Sequence, residues 1–145
     1  MPRVQFYHNT PDRLALACEL AARAQAGGRR VAMRVSDAAA AARLDQALWR
    51  FDAQSFIPHV MVDSPLAAHT PVLIGRSDAP LPWPHDDLLF NLAADLPPDF
   101  ERFRMIVEIV GHSEADKAPG RERYRHYKRC ELPIQLFDAE RREPL

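Results

Sequence analysis

The sequence predicts an α/β domain with a mostly parallel, mixed central sheet and helices on both faces. Apolar strand patterns alternate with amphipathic helix patterns from the first residues onward. Helix starts coincide with capping residues, and the first helix pattern stops at a glycine pair. The composition, with 47% hydrophobic and 27% charged residues, is typical of a soluble globular protein. We expect one domain over residues 1–145, frayed from about residue 138.

Five apolar runs predict strands, and one further segment predicts a short extended piece. Strand and helix patterns that alternate at this spacing indicate βαβ units and therefore a parallel sheet. Residues 77–87 hold three closely spaced prolines and predict a loop between two of the strands. The strands are Val4–Tyr7, Arg29–Val35, Pro71–Gly75, Leu88–Leu92 and Arg104–Val110, and the extended piece is Phe56–His59.

Three helices are predicted, each from a local start signal. Thr10–Pro11 predicts the first start, with the threonine as N-cap and the proline at the first helical position, and Gly27–Gly28 ends that helix. Ser36–Asp37 caps the second helix. The third runs over Gly120–Lys128, with Pro119 near its first turn.

The third helix concentrates positive charge in a chain whose formal net charge is −1. From Lys117 to Arg129, six Lys or Arg residues stand against one acid, Glu122. We expect an anion-binding surface, with Lys117 in the entering turn and the positive end of the helix dipole adding to the cations. A solvated surface helix is the alternative. Four side chains fall on one arc of about 100°, namely Arg121, Tyr124, Arg125 and Lys128.

Nothing in the sequence predicts catalysis, a metal site or a cofactor. The first strand–helix turn, FYHNTPDR, lacks the glycines of a dinucleotide-binding loop, so we expect a Rossmann-like topology without that loop. His85–Asp87 reads as a solvated loop rather than a metal site, and no serine lies in a nucleophile elbow. Cys18 and Cys130 lack metal spacing and are expected to be reduced thiols. Without a membrane-length apolar run or a signal peptide, the expectation is a cytoplasmic protein.

The segment Leu48–Val62 carries seven large apolar residues in a partly irregular stretch. An exposed apolar patch with a polar rim marks a protein–protein interface. The alternative is that these side chains all belong to the core.

Five segments carry a family resemblance: LDQALW (Leu44–Trp49), SFIPH (Ser55–His59), DLLFNL (Asp87–Leu92), PDFERFRMIVEIV (Pro98–Val110) and GRERYRHYK (Gly120–Lys128). In order and spacing they resemble the chi subunit of bacterial DNA polymerase III, over nearly the whole chain. The resemblance implies a non-catalytic accessory subunit of the clamp-loader complex in the DNA polymerase holoenzyme, with a nucleotide-binding-like fold that binds no nucleotide. The chain departs from the family pattern after Tyr127, where KRCELP stands in place of an early glycine.

The resemblance also implies two protein partners and no direct contact with DNA. One partner is the acidic, apolar-tipped C-terminal tail of single-stranded DNA-binding protein, and the other is the psi subunit of the clamp loader. Arg125 stands where the family can have lysine, and both residues are cationic. The expected tail-binding residues are Val110, Lys117, Arg121, Tyr124, Arg125 and Lys128. The expected psi-binding residues are Trp49, Phe56, Ile57, Pro58 and His59.

Two other functions remain open from the sequence. The six cations of the basic helix suit direct nucleic-acid binding, although the charge covers one helix in a near-neutral chain. A small enzyme on a nucleotide-binding scaffold is the second, and the glycine-free first turn disfavours it.

Overall fold

One predominantly parallel sheet organises the protein. The computed structural model describes residues 2–51, 56–141 and 143–144. The strands in that part are β1 (Arg3–Thr10), β2 (Val31–Val35), β3 (His59–Met61), β4 (Val72–Arg76), β5 (Leu88–Asn91), β6 (Met105–Gly111), β7 (Ile134–Asp138) and β8 (Glu143–Pro144). They form one sheet in the order β3-β4-β2-β5-β6-β1-β7-β8. All neighbours run parallel except β7 and β8.

Helices cover both faces of this sheet, which confirms the predicted fold class. The α-helices in the described part are α1 (Arg13–Ala26), α2 (Ala38–Arg50) and α3 (Glu114–Arg129). One core joins α1 and α2 to alternate side chains of the central strands, for example Leu44 to Met33 and Ile109. A second core lies on the opposite face, where Tyr127 of α3 joins Ile106 and other buried side chains. Short 3₁₀ turns lie at Ala67–His69 and Phe100–Arg102.

The first helix starts later than its sequence signal predicts. The Asp12 side chain, not that of Thr10, caps α1 by accepting from the Ala15 N–H at 3.1 Å. Thr10 stays in β1, where it lies opposite Gly111 of β6. The predicted cap is wrong because sheet pairing continues through Thr10, and Asp12 then offers an equally good capping carboxylate. The other two signals are confirmed, since Asp37 caps α2 and α1 ends at Gly27.

The third helix starts six residues before the predicted Gly120. The Ser113 side chain caps it by accepting from the Asp116 N–H at 3.2 Å, and acidic residues follow in its first turn. Pro119 therefore lies inside α3, and Lys117 lies on the helix rather than in an entering turn. The prediction was wrong because it treated the proline as a helix start, whereas the serine cap upstream sets the boundary.

The C-terminal part contains a strand that the sequence analysis missed. Residues of β7 pair in parallel with β1, and the Tyr7 and Phe137 rings stack at 4.7 Å between centroids. Beyond β7, Glu143–Pro144 pairs with Phe137 and Asp138, where a frayed end was expected. Met1, residue 142, residue 145 and residues 52–55, including Ser55 of the SFIPH motif, lie outside the described residues.

The proline-rich loop of residues 77–87 is irregular, as predicted, but His85 is not solvated. Its ring is 8% exposed and meets the Phe103 ring edge-on at 6.5 Å. The Nδ1 atom of His85 accepts from the Asp87 N–H at 3.3 Å. Asp87 itself pairs with Arg29, with Nε–carboxylate distances of 3.0 and 3.1 Å. Both side chains of the suspected metal motif thus serve the loop's own structure.

Candidate functional site

A pocket of about 360 Å³ opens between α3 and the strands β1, β6 and β7. Its floor is apolar, because Phe6 and Val110 are buried there and Leu136 and the Tyr124 ring complete the wall. The Phe6 and Tyr124 rings meet edge-on at 5.7 Å between centroids. The lining residues are Phe6, His8, Asn9, Val110, Lys117, Gly120, Arg121, Tyr124 and Leu136.

Gly120 allows α3 to lie close against β6 at this pocket. A Cβ atom at Gly120 would lie 3.0 Å from one methyl group of Val110 and 3.2 Å from the other. A larger residue would therefore push the helix or Val110 away from the pocket floor. Because Gly120 is adjacent to Arg121 in sequence, this close approach also fixes where the cations stand over the floor.

The structure brings four of the six expected tail-binding residues to this pocket. Val110, Lys117, Arg121 and Tyr124 line it together. The other two continue the same face of α3 beyond the lining. Lys128 places its Nζ 5.9 Å from the Tyr124 ring centroid, a cation–π contact, and Arg125 is ion-paired with Glu122 on the helix surface.

Arg121 forms an exposed ion pair with Glu114 of the same helix. Its guanidinium lies 3.1 Å from the Glu114 carboxylate, and both side chains are more than half exposed, at 55% and 77%. Exposed ion pairs contribute little free energy, so a competing carboxylate replaces Glu114 at small cost. The pairing positions Arg121 at the pocket without neutralising it permanently.

One of the six cations is not available to any ligand. Arg123 is 4% exposed and its Nε lies 2.9 Å from Glu108 Oε1, in the middle of β6. Tyr127 donates its hydroxyl to the same carboxylate at 2.7 Å, and Asn91 donates its side-chain amide from β5. Burial raises the pKa of Glu108, and the Arg123 charge opposes that rise. Of the six cations counted in the sequence, Arg123 therefore stabilises the interior, and it was not among the expected tail-binding residues.

Five lining residues escaped the sequence analysis: Phe6, His8, Asn9, Gly120 and Leu136. Phe6, His8 and Asn9 come from β1, and Leu136 comes from the strand that was not predicted. The missing information was topology, because nothing local in the sequence says that β1 lies between β6 and β7. Gly120 carried a usable signal, since a glycine inside a helix often marks close packing.

The expected psi-binding residues divide into exposed and buried groups. Trp49 and Phe56 are 57% and 62% exposed, and their rings are 5.4 Å apart. Ile57 and His59 are buried, and the His59 ring lies 4.9 Å from that of Trp49. The Asp45 carboxylate lies 2.9 Å from Nε2 of His59, and the Ile57 carbonyl oxygen lies 2.7 Å from its Nδ1.

That division shows which residues of the stretch are free to bind. Ile57 belongs to the core beneath α2, and the buried His59 ring packs against the exposed Trp49 ring. Pro58 is intermediate, and Phe51 and Leu66 add exposed apolar surface at 38% and 60%. Among the described residues the all-core interpretation of this stretch is therefore wrong, and part of the stretch forms exposed apolar surface.

Arg13 lies at the carboxyl ends of the strands, where nucleotides bind in related folds. Its guanidinium donates to the carbonyls of Ile109 at 3.0 Å and Leu92 at 2.8 Å, and burial lowers its pKa. The cavity beside it measures about 100 Å³.

Among the described residues, no group of His, Cys, Asp or Glu side chains is placed to hold a metal ion. Nor does any helix there combine the length and apolarity that a membrane crossing requires.

Comparison with known proteins identifies a family over most of the chain. The family described as "DNA polymerase III chi subunit, HolC" matches residues 1–135. A protein of Pseudomonas aeruginosa named "DNA polymerase III subunit chi" is 33% identical over 139 residues, covering 93% of this chain and 95% of that protein. Proteins of the same name from Escherichia coli and Haemophilus influenzae are 32% and 30% identical. Both alignments cover 78% of this chain, and 76% and 78% of the respective relatives.

Proposed function

The chain belongs to the DNA polymerase III chi subunit family. From that premise we propose that it binds the acidic tail of another protein and links that protein to the polymerase. The chain is an accessory subunit of the replicative polymerase. The tail is the C-terminus of single-stranded DNA-binding protein, and the second partner is the psi subunit of the clamp loader. The chain acts without catalytic activity or cofactor. The pocket beside Lys117 and Arg121 is the observation that carries this proposal.

The pocket suits a ligand that is acidic and ends in an apolar group. An aromatic tip fills the floor formed by Phe6, Val110 and Tyr124. Tail carboxylates accept charge-assisted hydrogen bonds from Lys117 and Arg121 at the pocket. Carboxylates further back along the tail reach the remaining cations on the same face of α3. Capture of a free C-terminal carboxylate is a recurrent mode of peptide recognition.

Affinity should be modest and sensitive to salt. A disordered tail loses conformational freedom on binding, and the cations are exposed, so we expect a dissociation constant of roughly micromolar order. Added salt screens the exposed charges and weakens the complex. An affinity that does not change between low and high ionic strength would contradict the electrostatic part of the proposal.

The test is titration of a labelled acidic peptide ending in phenylalanine into the wild-type protein and Arg121→Ala. We expect the substitution to weaken binding about tenfold while leaving the unfolding midpoint nearly unchanged, because the residue is exposed. Arg23→Ala is the matched control, since Arg23 is also an exposed helical arginine paired with a glutamate. If the wild type and Arg121→Ala bound the peptide with equal affinity, the proposal that this pocket binds the tail would be contradicted.

We place the psi subunit on the exposed aromatic patch formed by Trp49 and Phe56. Aromatic side chains of this exposure are typical centres of protein–protein interfaces. Trp49→Asp should abolish psi binding and leave tail binding intact. Leu81→Asp, which places the same charge at a leucine 48% exposed in the proline-rich loop, is the control. Wild-type psi binding by Trp49→Asp would remove this patch from the proposal, and loss of tail and psi binding together with loss of folding would show that the exposed Trp49 ring is needed for the fold.

Direct nucleic-acid binding is the alternative that the same helix raises. The site geometry weakens it, because Arg123, one of the six cations, is buried in an ion pair with Glu108. Filter binding of single-stranded DNA with no protein partner present separates the two functions. Retention of DNA by the chain alone would favour the alternative.

A further inference from the structure

A histidine on β1 forms part of the wall of the same pocket, together with Asn9. His8 is partly buried, and its Nε2 atom is shielded from solvent with no hydrogen-bond partner among the described residues. A buried polar atom without a partner raises the free energy of the folded state. Such an atom beside a binding pocket points to a group supplied by the ligand.

The backbone at this point is shaped to present both side chains. The pairing of β1 with β6 is regular through Tyr7 and then shifts in register before Thr10. Asn9 has φ of 54°, in the left-handed region, and its side-chain amide donates to Asp138 at 3.4 Å. In a regular strand, His8 and Asn9 would point to opposite faces of the sheet. Regular alternation already places His8 on the same face as Phe6, and the irregularity brings Asn9 to the same pocket, as β-bulges do beside binding sites.

We propose that His8 is a specificity residue of the tail site, donating a hydrogen bond to the terminal carboxylate of the bound peptide. The inference rests on the proposed function. The terminal carboxylate is attached to the same Cα as the apolar tip, so a tip on the pocket floor keeps that carboxylate within the pocket. The cations of α3 approach it from one side and the imidazole of β1 from the other.

A small turn of the imidazole makes this contact. The torsion about the Cβ–Cγ bond of histidine is broad, so the ring turns a nitrogen towards the pocket at little cost. Asp138 of β7 lies near enough for its charge to interact with His8. The ligand then supplies the acceptor that the free protein lacks. His8 thereby selects a free C-terminus over an internal acidic segment.

The experiment compares two peptides on several variants of the full chain. One peptide is the acidic sequence ending in phenylalanine with a free carboxylate, and the other is the same peptide with a C-terminal amide. His8→Leu should weaken binding of the free acid about ten- to a hundredfold, the usual range for a hydrogen bond to a charged group. The amide should bind the wild type more weakly, and His8→Leu should weaken its binding much less than that of the free acid, because the amide oxygen is an uncharged acceptor.

Two further variants keep the test decisive. His8→Gln retains a side-chain N–H at similar reach and should recover most of the affinity for the free acid. His8→Asn is too short to reach and should behave like His8→Leu, which covers the case in which leucine unfolds the protein. His69→Leu, an exposed histidine elsewhere, is the control. Thermal unfolding of each variant checks that it is folded.

The outcomes distinguish failure of the His8 assignment from failure of the proposed tail-binding function. If the free acid binds wild type and His8→Leu equally, or if the substitution weakens both peptides equally, the assignment of His8 is overturned and the pocket function stands. If the free acid does not bind the wild type at all, the proposed function falls, and the assignment of His8 falls with it.

Discussion

Replacement of Arg123 by methionine should destabilise the fold strongly, although this residue belongs to the basic helix. Its guanidinium is 5% exposed and faces a Glu108 side chain that is 0% exposed. Removal of one partner of a buried ion pair leaves an uncompensated charge and costs about 3–5 kcal/mol. For a chain of this length that corresponds to roughly 10–15 °C in the unfolding midpoint. Urea denaturation at fixed pH measures the change.

The destabilisation should depend on pH in a defined direction. Burial raises the pKa of Glu108 above its ordinary value of 4.5, and loss of the Arg123 charge raises it further. The folded state then binds a proton that the unfolded state releases, so stability falls as pH rises from 4.5 through the raised pKa. The deficit of Arg123→Met relative to wild type should therefore be smaller at about pH 5 than at about pH 7.

Two comparisons make this prediction refutable. Arg121→Met removes an exposed cation from the same helix and should change stability by no more than about 0.5 kcal/mol. The double variant with Glu108→Gln should be more stable than Arg123→Met alone, because it removes the unpaired charge. An Arg123→Met protein within about 1 kcal/mol of wild type, with no pH dependence of the difference, would refute the buried-pair argument.

Three further predictions address caps, acid stability and the pocket floor. Asp12→Ala should cost about 1 kcal/mol in urea denaturation, because Asp12 caps α1, and an unchanged midpoint would contradict that role. Arg29 holds the pKa of Asp87 at about 2, so the ion pair stabilises the fold above pH 3.8 and this contribution is lost as pH falls towards 2. Asp87→Asn should therefore reduce the loss of unfolding free energy between these pH values, and a loss as steep as in the wild type would contradict this role. Gly120→Val should weaken tail binding by more free energy than it removes from folding, because the valine side chain would press against Val110 on the pocket floor. Wild-type affinity in calorimetry would count against the close-packed floor.

Much of the fold could be predicted from local signals. Regular apolar strands such as the one containing Ile106 and the capped second helix at Asp37 are determined by nearby residues. The helix starts failed where two local signals competed, as at Thr10 and Asp12, or at Pro119 and Ser113. At Thr10 the deciding factor was sheet pairing, which a short window does not show, whereas at α3 it was the serine cap upstream of the proline.

The site was predictable mainly on the side contributed by its basic helix. Helical periodicity placed Arg121 and Tyr124 on one face, the family resemblance added Lys117 and Val110, and the structure gathers these four residues at the pocket. The opposite wall comes from β1 and β7, which reach the site through sheet order rather than sequence proximity. Sequence charge also could not tell the buried Arg123 from its exposed neighbours, because that distinction depends on Glu108 from a different strand.

The most direct test of the central claim is to map the peptide-binding surface by NMR. Backbone and methyl chemical shifts of the labelled protein are followed as the acidic peptide ending in phenylalanine is added. The account predicts the largest changes at Val110, Lys117, Gly120 and Tyr124, with the surface around Trp49 unaffected. Changes centred on Trp49, or spread over α3 without any at Val110, would contradict the claim that this pocket receives the tail.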